Sequence, residues 1–77
     1  MPVVADAKYL GGYKLHLTFD NGEERVIDLE GKLDGEVFEP LKDQVFFQRF
    51  SVNEWTVEWP NGADIAPERL YVESEPT

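Results

Sequence analysis

Few side chains in this sequence have the type and spacing that catalysis requires. The chain has 77 residues with one histidine, His16, and no cysteine, so it offers neither a thiolate zinc site nor a Cys–His pair. A serine nucleophile needs a base that a third group orients, and the two serines, Ser51 and Ser74, lie far apart without such a context. We expect His16 to be solvated on the polar face of a strand. We therefore predict no catalytic residue of this kind.

The carboxylates do not form a recognisable site either. Among sixteen aspartates and glutamates, close pairs such as Asp28 and Glu30 arise by chance, and nothing marks a pocket around them. The window 28–39 has the length of an EF-hand calcium loop, but Leu33 stands at its sixth position, where that loop requires glycine. No glycine-rich phosphate-binding motif is present. We predict that the protein is not an enzyme and holds no metal or cofactor.

The charge balance excludes one class of partner and favours another. Seven basic and sixteen acidic residues give a net charge of −9, the opposite of what binding to the DNA backbone requires. Residues 1–32 carry a net charge of −2 and residues 33–77 a net charge of −7. We expect the second part to attract a basic protein, although a uniformly solvated surface is the alternative explanation. With no signal-peptide pattern and no apolar run near the ~20 residues of a membrane span, we expect a cytoplasmic protein without membrane contact.

The two tryptophans are the side chains best suited to binding. Trp55 and Trp59 alternate with polar residues around Val57, as on one face of a strand. All three belong to the core in one interpretation, and in the other the ring of Trp55 is partly exposed as an interaction patch. The candidate interaction residues are Trp55, Asp64, Glu68 and Tyr71. Two of these residues also have a purely structural explanation, which is local hydrogen bonding for Asp64 and packing for Tyr71.

Alternating strands must position these residues. The sequence predicts strands over 3–10, 13–19 and 23–29, separated by a glycine pair and by an Asn-Gly hairpin signal. A two-residue hairpin loop would place Leu15 opposite Asp28. A three-residue loop with a left-handed Gly22 places Leu15 opposite Ile27, so we predict this loop, because a one-residue slip would turn every side chain to the other face.

Short helices and a second hairpin follow. We predict a helical turn over 37–41 and a helix over 44–49 that Asp43 caps. Phe46 and Phe50 lie four residues apart and should share a face. The second hairpin has a three-residue loop, Pro60-Asn61-Gly62. That loop sets Trp59 opposite Ala63 and Val57 opposite Ile65.

The expected fold is α+β. A small antiparallel sheet of two hairpins plus an N-terminal strand carries short helices on one face, the last of which begins at Pro67 and carries Leu70 and Tyr71. We predict a single domain over residues 1–73 and a frayed polar tail over 74–77.

Three segments in a fixed order carry a family resemblance. VIDL closes the first hairpin, VFEPLKD occupies residues 37–43, and WPNGADIAP occupies residues 59–67. Over about residues 3–71 the chain resembles domain-of-unknown-function family 2442. The resemblance implies a small bacterial α+β domain with no established activity, in a genetic setting of toxin–antitoxin-like pairs. Some family members continue into a helical DNA-binding segment that this sequence does not show, so we expect no direct contact with nucleic acid.

These observations support three functional hypotheses. The first is a non-enzymatic protein-interaction module that binds a basic protein through its acidic C-terminal part, with an antitoxin-like role as its sharpest form. The second is a sensor of small molecules or peptides with an aromatic groove near Trp55, Trp59 and Tyr71. The third is an accessory subunit of a transcription regulator. Unpaired sheet edges offer a further route, strand addition or pairing into a homodimer.

Overall fold

Six strands and three short helices alternate along residues 2–77, which a computed structural model describes. In chain order they are β1 (Val4–Gly11), β2 (Lys14–Phe19), β3 (Glu24–Asp28), a 3₁₀ helix (Glu36–Lys42), α1 (Gln44–Phe47), β4 (Ser51–Val52), β5 (Val57–Glu58), α2 (Pro67–Glu73) and β6 (Glu75–Pro76). Strands β1, β2, β3 and β6 form one antiparallel sheet in that order, and β4 pairs with β5 in a second sheet. The predicted α+β class is confirmed.

The first hairpin has the predicted three-residue loop. The Phe19 N–H donates to the Glu23 carbonyl at 2.8 Å, and Gly22 has a φ of 87°, which an L side chain rarely adopts. Leu15 accordingly lies opposite Ile27. The apolar face of β2 is therefore buried, and the hydrophobic alternation was sufficient to predict the register.

Helix α1 supplies a fully buried ring, Phe47, to the core. Asp43 caps it as predicted, since its carboxylate accepts from the Val45 N–H at 3.0 Å. The helix ends at Phe47, two residues earlier than predicted. Phe47 is fully buried, whereas Phe46 and Phe50 are only half-buried. Phe46 and Phe50 therefore pack against the core from its border, and Phe47 between them enters its centre.

The second hairpin keeps its predicted loop but leaves the main sheet. The Trp59 N–H donates to the Ala63 carbonyl at 2.8 Å, and Glu58 forms an isolated bridge with Asp64. On its other side, β5 pairs with β4, a strand that the sequence pattern did not indicate. The two predicted hairpins therefore belong to two sheets rather than one.

The prediction of a frayed tail over residues 74–77 is wrong. Ser74 is buried, and the Arg25 guanidinium donates to its hydroxyl at 2.8 Å and to its carbonyl at 2.7 Å. These bonds direct the chain back along β3, where Glu75 lies opposite Val26. The fold therefore extends past the predicted boundary at residue 73, and β6 covers part of the β3 edge.

Helix α1 gives a matched pair of substitutions. Phe47→Ala should lower the free energy of unfolding by about 3 to 5 kcal/mol, because it empties a site without solvent access. Phe46→Ala removes the same atoms from a half-buried position and should cost clearly less. Urea unfolding of both variants measures the difference. Equal losses would contradict the placement of Phe47 at the centre of the core.

Candidate functional site

Trp59 is a core residue that is unavailable to a partner. Its side chain is 2% exposed, and its ring centroid lies 5.7 Å from that of Phe47. Its indole Nε1–H donates to the Phe47 carbonyl at 2.8 Å, which satisfies the one polar group of the ring. The ring therefore joins β5 to α1.

Trp55 has the opposite environment, with 61% of its surface exposed. It lies outside the strands, in a turn that Asn53 organises. The Asn53 side-chain oxygen accepts from the backbone N–H of Trp55 at 2.7 Å and of Thr56 at 2.8 Å. The Trp55 carbonyl in turn accepts from the Val4 N–H of β1 at 2.9 Å. The backbone is thus fixed on both sides of an indole that lies in solvent.

Carboxylates flank this turn. Glu54 is exposed immediately before Trp55. On the other side, Asp20 is joined to the start of β1, because its N–H donates to the Val3 carbonyl at 2.9 Å and its carboxylate accepts from the Val3 N–H at 3.2 Å. Val4, the next residue, is the one bonded to Trp55. We call Asp20, Glu54 and Trp55 the Trp55 surface.

Asp64 and Glu68 are both exposed. Asp64 lies opposite Glu58, and like charges in that position destabilise a strand pair. Its segment is tied to the Trp55 turn, since the Thr56 hydroxyl donates to the Ile65 carbonyl at 2.5 Å. Glu68 lies in the first turn of α2, where a carboxylate is favourable to the helix.

Tyr71 is occupied by contacts within the domain. Its ring meets that of Phe19 edge-on at 5.2 Å, and the Arg25 guanidinium carbon lies 4.6 Å from the ring centroid. Its hydroxyl donates to the Glu23 carboxylate. This hydrogen bond is the largest cause that lowers the pKa of Glu23 below its usual 4.5 and raises the pKa of Tyr71 above its usual 10.0. The structure thus accounts for Tyr71 by packing and hydrogen bonding.

The single histidine is half-buried on the outer face of the main sheet. Its Nε2 lies 3.2 Å from a Glu24 carboxylate oxygen. Within residues 2–77, no group of three or more His, Asp or Glu side chains is placed to hold a metal ion.

The aromatic groove of the sensor hypothesis is not assembled. Trp55, Trp59 and Tyr71 share no ring contact in residues 2–77. Two clefts of about 260 and 380 Å³ open elsewhere, and none of the three rings lines them. The first is lined by Tyr13, Glu30, Gly31, Leu33, Asp34 and Lys42.

The sequence pattern missed Asn53, which determines how Trp55 is displayed. An asparagine two residues before an aromatic is a signal for an Asx turn, because its side chain can accept from the backbone N–H two positions later. The alternation of Trp55, Val57 and Trp59 had indicated a strand at the same positions, but β5 begins only at Val57.

The fold and these surfaces define a small α+β domain that displays one exposed tryptophan on a hydrogen-bonded backbone. A model of the family described as "Protein of unknown function (DUF2442)" matches residues 4–76, nearly the whole chain. The protein belongs to this family, so the resemblance is confirmed. Searches of the curated proteins and of the solved structures found no match. No helix within residues 2–77 is long and apolar enough to cross a membrane.

The bond between Tyr71 and Glu23 predicts an acid-sensitive contribution to stability. Because the pKa of Glu23 is lowered in the folded state, this contribution is present above pH 4.5 and is lost as the pH falls through the lowered value. Tyr71→Phe removes the main cause of the shift. The free energy of unfolding should then fall less between about pH 6 and pH 3 than in the wild type.

Tyr9→Phe is the matched control, because that hydroxyl donates to the Gly12 carbonyl and not to a carboxylate. Urea unfolding across this pH range compares the three proteins. The same acid sensitivity in Tyr71→Phe and the wild type would contradict the assignment.

Proposed function

We propose that this protein is a non-enzymatic interaction module that binds a basic segment of another protein through the Trp55 surface. The observation that carries the proposal is the 61% exposure of an indole whose backbone is held by hydrogen bonds to Asn53 and Val4. Tryptophan is the residue type most enriched at binding hot spots. A rigid loop lowers the entropy that must be lost on binding, because the side chain is already presented.

The charges around the indole favour a cationic group. An arginine or lysine placed over an indole gains about 0.5 to 2 kcal/mol from the ring. The carboxylates of Glu54, next to Trp55 in the chain, and of Asp20, bonded to the start of β1, add negative charge that attracts the same cation. The net charge of −9 extends this attraction to longer range and repels phosphate groups. We therefore expect the partner to be a basic protein rather than a nucleic acid.

The acidic C-terminal part contributes to the proposal through Asp64. Its segment is bonded to the Trp55 turn, and the unfavourable pair that it makes with Glu58 would be relieved by a bound cation. In its sharpest form, the module is a cytoplasmic antitoxin-like protein whose partner is a basic toxin. The role of accessory subunit of a transcription regulator is compatible with the same surface.

Trp55→Ala tests the proposal. It should weaken the binding of arginine-rich synthetic peptides by about 2 kcal/mol. It should change the free energy of unfolding by less than about 0.5 kcal/mol, since the side chain lies in solvent. Val72→Ala is the control, because Val72 is 73% exposed on α2 and lies outside the Trp55 surface. Titration calorimetry measures the affinity of each protein for the arginine-rich peptides and for acidic peptides of equal length, at low and at molar salt.

The predicted outcome is binding that requires Trp55, prefers basic peptides and weakens with salt. Equal binding by the wild type and Trp55→Ala would overturn the role of the indole. Binding that persists undiminished at molar salt, or that does not distinguish acidic from basic peptides, would overturn the electrostatic part.

A further inference from the structure

The two edges of the main sheet are treated differently by the chain. Strand β6 covers one edge by pairing with β3. Its Pro76 has no N–H, so it offers no backbone donor to a further strand on the outer side. The eight-residue strand β1 forms the other edge. A strand of this length with free backbone groups is a template for a further strand.

The hydrogen-bond pattern shows which groups of β1 are free. The Phe19 N–H donates to the Glu23 carbonyl just before β3, and the Leu29 N–H just after β3 donates to the Tyr13 carbonyl. The odd-numbered residues of β2 therefore face β3 and the even-numbered residues face β1. Lys8, opposite His16, therefore bonds to β2, whereas Ala7, opposite Leu17, directs its N–H and carbonyl outward. In the described chain, no backbone bond from outside the sheet reaches Ala7.

The free stretch has defined limits. At its start, the Val4 N–H is already occupied by the Trp55 carbonyl. At its end, the pairing of β1 with β2 shifts register between Tyr9 and Gly11. A second register shift lies between Val4 and Asp6, so the regularly paired stretch that remains is residues 6–9, which includes Ala7.

The exposed charges of this stretch are self-complementary. Asp6 and Lys8 flank Ala7 and lie on the side of β1 that is open to solvent. We propose that a second copy of this chain adds to the edge, its β1 antiparallel to the first around a twofold axis at Ala7. Each Asp6 then lies directly opposite Lys8 of the second copy, in the non-hydrogen-bonded positions where side chains are closest.

The alternative register supports the choice of axis. A twofold axis at Lys8 also brings outward-facing backbone groups together, but it sets Lys8 against Lys8 of the second copy, which is repulsive. The axis at Ala7 instead gives two attractive pairs.

Charge reversal on the full chain tests this arrangement. Sedimentation equilibrium should show a wild-type dimer at micromolar to millimolar concentrations. Asp6→Lys and Lys8→Asp should each weaken self-association about tenfold, because both attractive pairs become repulsive. An equimolar mixture of the two variants should recover association at wild-type strength, since the edge that carries two lysines then faces the edge that carries two aspartates.

Lys14→Asp is the control, because it makes the same charge change on the outer face of β2, away from the edge. It should leave association within about twofold of the wild type. A monomeric wild type, single variants that associate as well as the wild type, or a mixture that does not recover association would each overturn the proposal. The peptide-binding result with Trp55→Ala is independent, because that variant keeps the backbone carbonyl that bounds the paired stretch.

Discussion

The contact between Phe47 and Trp59 is the interaction on which the rest of the fold depends. The Phe47 ring meets Tyr13 edge-on at 5.3 Å and Tyr9 at 6.2 Å, so it joins α1 to β1 and to the turn between β1 and β2. Its carbonyl accepts the Trp59 indole N–H, so the same residue joins α1 to the second, two-stranded sheet. A domain of 77 residues buries a smaller share of its surface than larger domains do. This aromatic cluster must therefore hold together α1, the main sheet and the second sheet, which do not pair with one another.

The functional proposal follows from this division of the two tryptophans. Trp59 is fixed in the core by packing and by its hydrogen bond, and the chain before it is bonded to β1. The Asn53 turn makes that connection and ends with the Trp55 carbonyl on the Val4 N–H. The Trp55 ring is left outside on a backbone that cannot relax toward the core. An exposed indole here is thus a result of the connection itself, and the nearby carboxylates give it a preference for cations.

The sequence predicted local features well and long-range features poorly. The register that sets Leu15 opposite Ile27 followed from alternation and from one left-handed glycine, and the Asp43 cap followed from its side-chain chemistry. The return of the chain at Ser74 depends on Arg25, 49 residues away, and no periodicity carries that information. The exposure of Trp55 was an open alternative, because alternation around Val57 is the same whether a ring enters the core or leaves it.

Hydrogen exchange of the indole and backbone N–H groups in the ¹⁵N-labelled chain tests the central claim, that one tryptophan is in the core and the other is held outside it on a fixed backbone. We expect slow exchange at Trp59 Nε1, fast exchange at Trp55 Nε1, and protection of the backbone amides of Trp55 and Thr56 that donate to Asn53. Similar exchange rates at the two indoles would contradict the division of the tryptophans. Unprotected amides at Trp55 and Thr56 would contradict the rigid turn that presents the binding surface.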